Sequence, residues 1–450
     1  MRTIARLFAA ALALAAAAFA APALAQPAVS PEDVCSGDQA GLGRALRRNW
    51  DNQVQLMAKR GFSLSESRRE QERAVAHWLR GLPDGAAAAV LVGDTNRHCV
   101  YVVDNSGLKR FAAAPVGADG VKSLHAAWRK AARVDQASPG KRAALFVAAA
   151  GASAPKPKKG EADAALEAFA AALLPGDVRQ VLTAYGRVLV LPYGDLGVAP
   201  FPALPTGEKQ VLADTTAVMV LPGVQLAQAE GGPWVYRHDR PCGAPAAREG
   251  ALVIGDPVAR DPDYRFPALP GARREAVAVG ERLNASPLIG EEATLDAVRA
   301  AAPSASVIHV AAHGMALNDK PLDSFIALSD GRWTARDIMG ACLEGVELAV
   351  LSACQSGLGE SVSGGVIGLA RAFYLAGVDN VVMSLWSVDD KATERLMDAF
   401  GAERLKGGVP DDEALRRAML QTRKSWPDPS RWAAFTVFGS SMIADGQDEG

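Results

Sequence analysis

Two strand-like runs in this chain each end in a side chain capable of acid–base or nucleophilic chemistry. The first, Val307-Ile308-His309-Val310-Ala311-Ala312-His313-Gly314, delivers an imidazole. The second, Leu348-Ala349-Val350-Leu351-Ser352-Ala353-Cys354, delivers a thiol and continues as Gln355-Ser356-Gly357. A thiol becomes a nucleophile when a neighbouring imidazole lowers its pKa and takes its proton. Gly314 leaves its backbone N–H unobstructed, and with the N–H of Cys354 it would form an oxyanion hole. The competing reading is an inert buried cysteine, the ordinary state of that residue type.

The elements around these residues decide whether they meet. Both runs are almost wholly apolar, the pattern of strands covered on both faces of a parallel sheet. His313 and Cys354 lie 41 residues apart, room for one crossover between neighbouring strands. From about residue 250 the chain alternates strand and helix. Ala251–Gly255 is a strand, Gly271–Leu283 and Ala293–Ala301 are helical, and the two runs above follow. Ser363 can cap a helix over Gly364–Ala376 that Gly377 closes, and Asn380–Trp386 forms a further strand. Asp389 and Asp390 open a helix from Lys391, and a last helix covers Asp411–Lys424. Such alternation predicts an α/β fold with a mostly parallel sheet flanked by helices. In that architecture ligands gather at the carboxyl rim of the strands, where His313 and Cys354 would both stand.

Upstream the pattern changes. Residues 38–82 read as helical, with Ser67 and Glu70 spaced as a capping box. Strands at Ala88–Val92 and His98–Val103 flank a turn at Gly93–Asn96 and predict a hairpin. Helices are expected near Gly120–Ala132 and Asp163–Leu174, a flexible linker over 151–162, and a buried strand at Arg187–Leu191.

The chain has 450 residues, 49% hydrophobic and 22% charged, with a net charge of −2. Nothing in that balance points to nucleic acid. Arg2 and Arg6 precede an apolar run from Leu7 to Ala21, and Ala23-Leu24-Ala25 supplies small residues. This is the layout of a secretory signal peptide cleaved after Ala25, giving a periplasmic or secreted protein with no membrane attachment after cleavage. The organisation expected is therefore a signal peptide at 1–25, a helical region at 26–84, one half at 85–245 and a catalytic half at 246–445. None of the five cysteines has C-x-x-C spacing, so no zinc site is expected. Cys35, Cys99, Cys242 and Cys342 can pair in three ways, leaving Cys354 as the expected free thiol. No cofactor is called for, because Gly364-Gly365 lacks the Lys-Ser/Thr of a phosphate loop. His309 precedes His313 by four residues, about 13 Å along a strand, and reads as packing or support rather than a metal ligand. His77, His98, His125 and His238 have no motif around them and read as surface or satisfied structural histidines.

Two carboxylates could recognise substrate at the rim. Asp256 ends the first strand of the catalytic half and Asp389 follows the Trp386 strand, and either could pair with a basic P1 side chain. The plainer readings are a Gly-Asp-Pro turn for Asp256 and a helix cap for Asp389.

Taken together, the His313-Gly314 run, the Val350–Gly359 run, Gly368-Leu369-Ala370-Arg371-Ala372-Phe373 and Val381–Asp390 resemble the CHAT domain family of caspase-like cysteine peptidases. Leu269–Glu275, Gly290–Thr294, Leu191–Leu196 with Pro200-Phe201, and Trp432–Phe435 extend the resemblance to roughly residues 85–440. It implies His313 as general base and Cys354 as nucleophile of peptide-bond hydrolysis, protein or peptide substrates, and an inactive caspase-like companion in the N-terminal half. Two features differ from the family pattern: tandem helical repeats are missing and an export signal is present. Alternatives from other classes are a catalytically silent interaction scaffold on this fold, another thiol acyltransferase or hydrolase, and a periplasmic binding protein.

Overall fold

The computed structural model describes residues 33–58, 81–93, 96–134, 160–221, 248, 250–315, 317, 320–352, 366–386, 388, 390–439 and 441. Residues 1–25, expected as a signal peptide, residues 67–80 of the expected second N-terminal helix, residues 151–159 of the expected linker, Cys242, His77, His238, Cys354 and Asp389 lie outside them.

In chain order the strands are β1 (Ala86–Gly93), β2 (His98–Asp104), β3 (Gly107–Ala114), β4 (Arg187–Leu191), β5 (Pro205–Gly207), β6 (Gln210–Val211), β7 (Ala217–Val220), β8 (Ala251–Gly255), β9 (Leu288–Ile289), β10 (Val307–Ala311), β11 (Gly314–Met315), β12 (Phe325–Ala327), β13 (Arg332–Thr334), β14 (Leu348–Leu351), β15 (Asn380–Ser384) and β16 (Phe435–Gly439). The main helices are α1 (Gln39–Ala58), α2 (Ala118–Ala131), α3 (Glu161–Leu173), α4 (Pro270–Leu283), α5 (Val366–Leu375), α6 (Asp390–Arg404) and α7 (Asp411–Ser425).

Eleven strands form one sheet in the order β3-β2-β1-β4-β7-β16-β15-β14-β10-β8-β9. The expected parallel series is present: β15, β14, β10, β8 and β9 run parallel in turn. Every residue of β10, β14 and β15 is buried, which is why these segments read as unbroken apolar runs. Helix α4 packs on β8 and β10, and α6 packs on both α4 and α7. The alignment of α4 is tight because Gly255 carries no side chain: a Cβ there would sit 2.3 Å from Ala276 Cβ.

The predicted β1–β2 hairpin is present, with Gly93 opposite His98. A third antiparallel strand, β3, extends it; its mixed exposure is that of an edge strand and gives no clean alternation to read. The two halves share the sheet through β16. That strand is antiparallel to β15 but parallel to β7, so β1, β4 and β7 of the N-terminal half run opposite to β8, β10, β14 and β15. The seam is reinforced by helix α7, whose buried Asp412 accepts two hydrogen bonds from Arg187 at the start of β4, at 2.7 and 2.9 Å. Trp128 of α2 meets Trp386, just past β15, edge to face at 5.4 Å.

Candidate active site

Strands β10 and β14 are hydrogen-bonded neighbours with Val310 opposite Leu351. Beyond that rung Ser352 N donates to Val310 O at 3.0 Å. His313 and Cys354 each follow the Val310–Leu351 rung by three residues, so equal offsets lead from a paired rung to the imidazole and to the thiol position. Cys354 itself lies outside the described residues.

His313 is 3% exposed and held from three sides. Its carbonyl accepts from Ala327 N at 2.8 Å, which ties it to the small antiparallel sheet β11-β12-β13. Its ring stacks on Phe266, centroids 5.0 Å apart. Its Nε2 lies 2.7 Å from Pro267 O. A carbonyl can only accept, so Nε2 carries the proton and the neutral ring keeps its lone pair on Nδ1. Nδ1 is buried and has no hydrogen-bond partner among the described residues. Burial lowers the pKa below the ordinary histidine value, while the Pro267 bond and the nearby Asp256 carboxylate pull it back up. The result is a neutral imidazole with its lone pair on Nδ1, the form a general base requires.

Gly314 opens β11 opposite Ile326 and is buried. Asp256 sits directly after β8 with a left-handed backbone, φ 45°. Its N–H donates to Ala311 O at 3.0 Å, its Oδ1 accepts from Leu269 N at 2.6 Å, and its Oδ2 lies 3.4 Å from Arg273 Nε. This is the turn role weighed in the sequence, extended into the closure of a loop; a carboxylate engaged in this way is poorly presented to a substrate side chain. Ser352, two residues before Cys354, is buried with no partner for its Oγ among the described residues.

His309 is engaged elsewhere. Its Nε2 lies 2.8 Å from Glu275 Oε1 of α4, both side chains buried, so it fastens strand to helix as a support. Among the described residues no three His, Cys, Asp or Glu side chains converge as a metal site. His98 is a satisfied structural histidine, bonded to Tyr193 Oη at 2.9 Å and Leu173 O at 2.7 Å. His125 departs from expectation: it is buried against Trp128 and Phe169 with no partner for Nε2 among the described residues, and burial lowers its pKa to about 3.

Sequence reasoning missed Phe266 and Pro267. A signal existed: 14 residues separate β8 from α4, where strand-to-helix connections ordinarily take about 2–6, and unusually long loops tend to be functional. Which backbone carbonyl would bind the imidazole carries no side-chain signature.

Cys35 and Cys99 form a disulfide. Cys342 is also disulfide-bonded, to a partner outside the described residues.

A mostly parallel sheet flanked by helices, with histidine at the rim beside a strand leading to cysteine, defines a caspase-like α/β protein. The CHAT domain family profile matches residues 163–440, more than half of the chain, and the chain belongs to that family. Residues before 163, including β1–β3, lie outside the match although they belong to the same sheet. Among curated proteins, human tetratricopeptide repeat protein 28 is 27% identical over 299 residues, 57% of this chain and 12% of that protein. The mouse protein of the same name is 28% identical over 301 residues, with the same coverage. The match therefore spans about an eighth of the length of these relatives. Among solved structures, the Saccharomyces cerevisiae separase–securin complex superposes with a TM-score of 0.57 at 10% identity, covering 90% of this chain and 34% of that one. The Arg-specific cysteine proteinase gingipain R (RgpB) gives a TM-score of 0.39 at 9% identity, over 64% of this chain and 69% of that one.

Proposed function

We propose that this CHAT-domain protein is an exported cysteine endopeptidase working through a Cys354–His313 dyad. The observation that carries the reading is the His313 tautomer. Pro267 O occupies Nε2, so the basic atom of the ring is Nδ1, two residues past the end of β10, the strand paired with the one that leads to Cys354. In the reaction, His313 Nδ1 takes the thiol proton and the Cys354 sulfur attacks the peptide carbonyl. The N–H groups of Gly314 and Cys354 receive the oxyanion. His313 returns the proton to the leaving amine, and water then hydrolyses the thioester, restoring thiol and imidazole.

For specificity we assign a basic P1 residue to Asp389 rather than Asp256, whose carboxylate is taken up by Leu269 N. Export is supported by the leader-like residues 1–25 and by the Cys35–Cys99 disulfide, a bond that persists in oxidising compartments. No described helix is long and apolar enough to cross a membrane.

The test is covalent capture. A peptide acyloxymethyl ketone with arginine at P1 should add once to the wild-type chain, at Cys354, and not to Cys354→Ala. Equal labelling of the two would remove the nucleophile assignment. A second reading, a silent interaction scaffold, is favoured by the name of the curated relatives, which states no enzymatic activity. It predicts no labelling of either protein.

A further inference from the structure

The loop between β8 and α4 is fastened at points that serve one contact, Pro267 O on His313. We propose that Asp256 is a positioning residue for His313: by closing this loop through Leu269 N, with Arg332 latching its middle, it holds Pro267 O against the imidazole and so fixes which ring nitrogen is the base.

The residues form a closed circuit. Asp256 N donates to Ala311 O, two residues before His313 on the same chain segment, so the root of the loop is tied to the strand carrying the base. The side chain of Asp256 reaches across to Leu269 N at 2.6 Å, two residues after Pro267. One carboxylate thus spans the loop ends and sets where Pro267 can lie. Only 11% of that side chain is exposed, which disfavours a role in pairing with substrate.

The middle of the loop has its own anchor. Asp261 turns the chain by accepting from Asp263 N at 2.9 Å and Tyr264 N at 3.0 Å. Arg332 of β13 grips Asp261 with two bonds, at 2.6 and 2.7 Å, and Asp263 with a third at 2.6 Å. Its guanidinium lies over Phe325, 4.4 Å from the ring centroid, and over Tyr264 at 5.6 Å. Phe325 in turn packs against Phe266, the ring that stacks on His313. A fork-shaped cation with two carboxylate partners and two aromatic faces has little freedom to move. Release of either anchor frees Pro267 O, and the neutral imidazole can then place its proton on Nδ1 and lose its base.

This inference rests on His313 acting as the base, and its test is arranged to stand apart from that reading. In full-length protein with 15N-labelled histidine, the His313 ring nitrogens report the tautomer whether or not the protein turns over. Wild type should show one protonated Nε2 and one unprotonated Nδ1. Asp256→Gly, which suits the positive φ, should give a mixture of tautomers, as should Arg332→Ala. Asp256→Asn keeps an acceptor for Leu269 N and tolerates the left-handed backbone, so it should restore the single tautomer. On peptide substrate Asp256→Gly should lower kcat by about 10- to 100-fold, with KM nearly unchanged, as expected when a catalytic group is misplaced by about an ångström. A single Nε2-protonated tautomer in both Asp256→Gly and Arg332→Ala overturns the proposal. So does a loss confined to KM for basic substrates, which would return Asp256 to a substrate-binding role.

Discussion

Replacing Arg187 with methionine tests how the two halves are held as one sheet. Arg187 opens β4 of the N-terminal half, and Asp412 lies in the first turn of α7 in the C-terminal half. Nε and Nη2 meet Oδ2 and Oδ1 at 2.9 and 2.7 Å, a bidentate pair in which the Asp412 side chain is 0% exposed and that of Arg187 24%. Breaking a buried pair from one side costs about 3–5 kcal/mol, because the remaining charge is stranded. Part of that is offset here, since a carboxylate in the first turn of a helix gains about 0.3–1 kcal/mol from the helix dipole. Methionine also replaces most of the arginine stem. We expect Arg187→Met to cost about 3 kcal/mol, measured by urea denaturation followed by tryptophan fluorescence. The double variant Arg187→Met/Asp412→Leu removes both charges and should recover all but about 1 kcal/mol. The reasoning fails if the single variant loses less than about 1 kcal/mol or if the double variant is no better than the single.

Other consequences can be measured on the same protein. His125 has a pKa lowered to about 3 from 6.5 by burial, so the unfolded chain takes up a proton below pH 6.5 while the native one does not. Its contribution is fully present well above that pH and falls by about 1.4 kcal/mol per unit once the pH is well below it, so His125→Leu should gain about 2 kcal/mol on wild type between pH 6.5 and 4.5 in urea melts. His313 is shifted in the same direction, so the acid limb of kcat/KM for peptide hydrolysis should fall below the ordinary histidine pKa, and a limb above it would contradict the neutral base. Gly255→Ala drives a Cβ to 2.3 Å from Ala276 Cβ and should cost about 1–3 kcal/mol in the same melts through displacement of α4.

The C-terminal half was legible because its strands are buried on both faces. Val307–Ala311 and Leu348–Leu351 read as apolar runs, and the alternation with helices placed their ends on one rim. The seam was not legible. β16 gives no local sign that it lies between β15 and β7 with opposite directions on its two sides, because strand order is a property of the whole chain. The small sheet β11-β12-β13 escaped notice because its strands are two or three residues long, too short for any period to show. At the site, residue type singled out His313 as a candidate, while the tautomer depended on the backbone oxygen of Pro267, which any residue would supply. Asp256 was noticed for its carboxylate, but its positive φ turns that carboxylate toward Leu269 N. His125 was misjudged because nothing local announces that a lone histidine will be packed against two aromatic rings.

The central claim is peptide-bond hydrolysis by Cys354 with His313 as its base. Incubation of the protein with a mixed peptide library, with cleavage products sequenced by mass spectrometry, tests it most directly. The account predicts cleavage after lysine or arginine by wild type, reduced at least about 100-fold in both Cys354→Ala and His313→Ala. Cleavage that persists in Cys354→Ala, or a library left intact by wild type that also refuses the electrophilic probe, would contradict it.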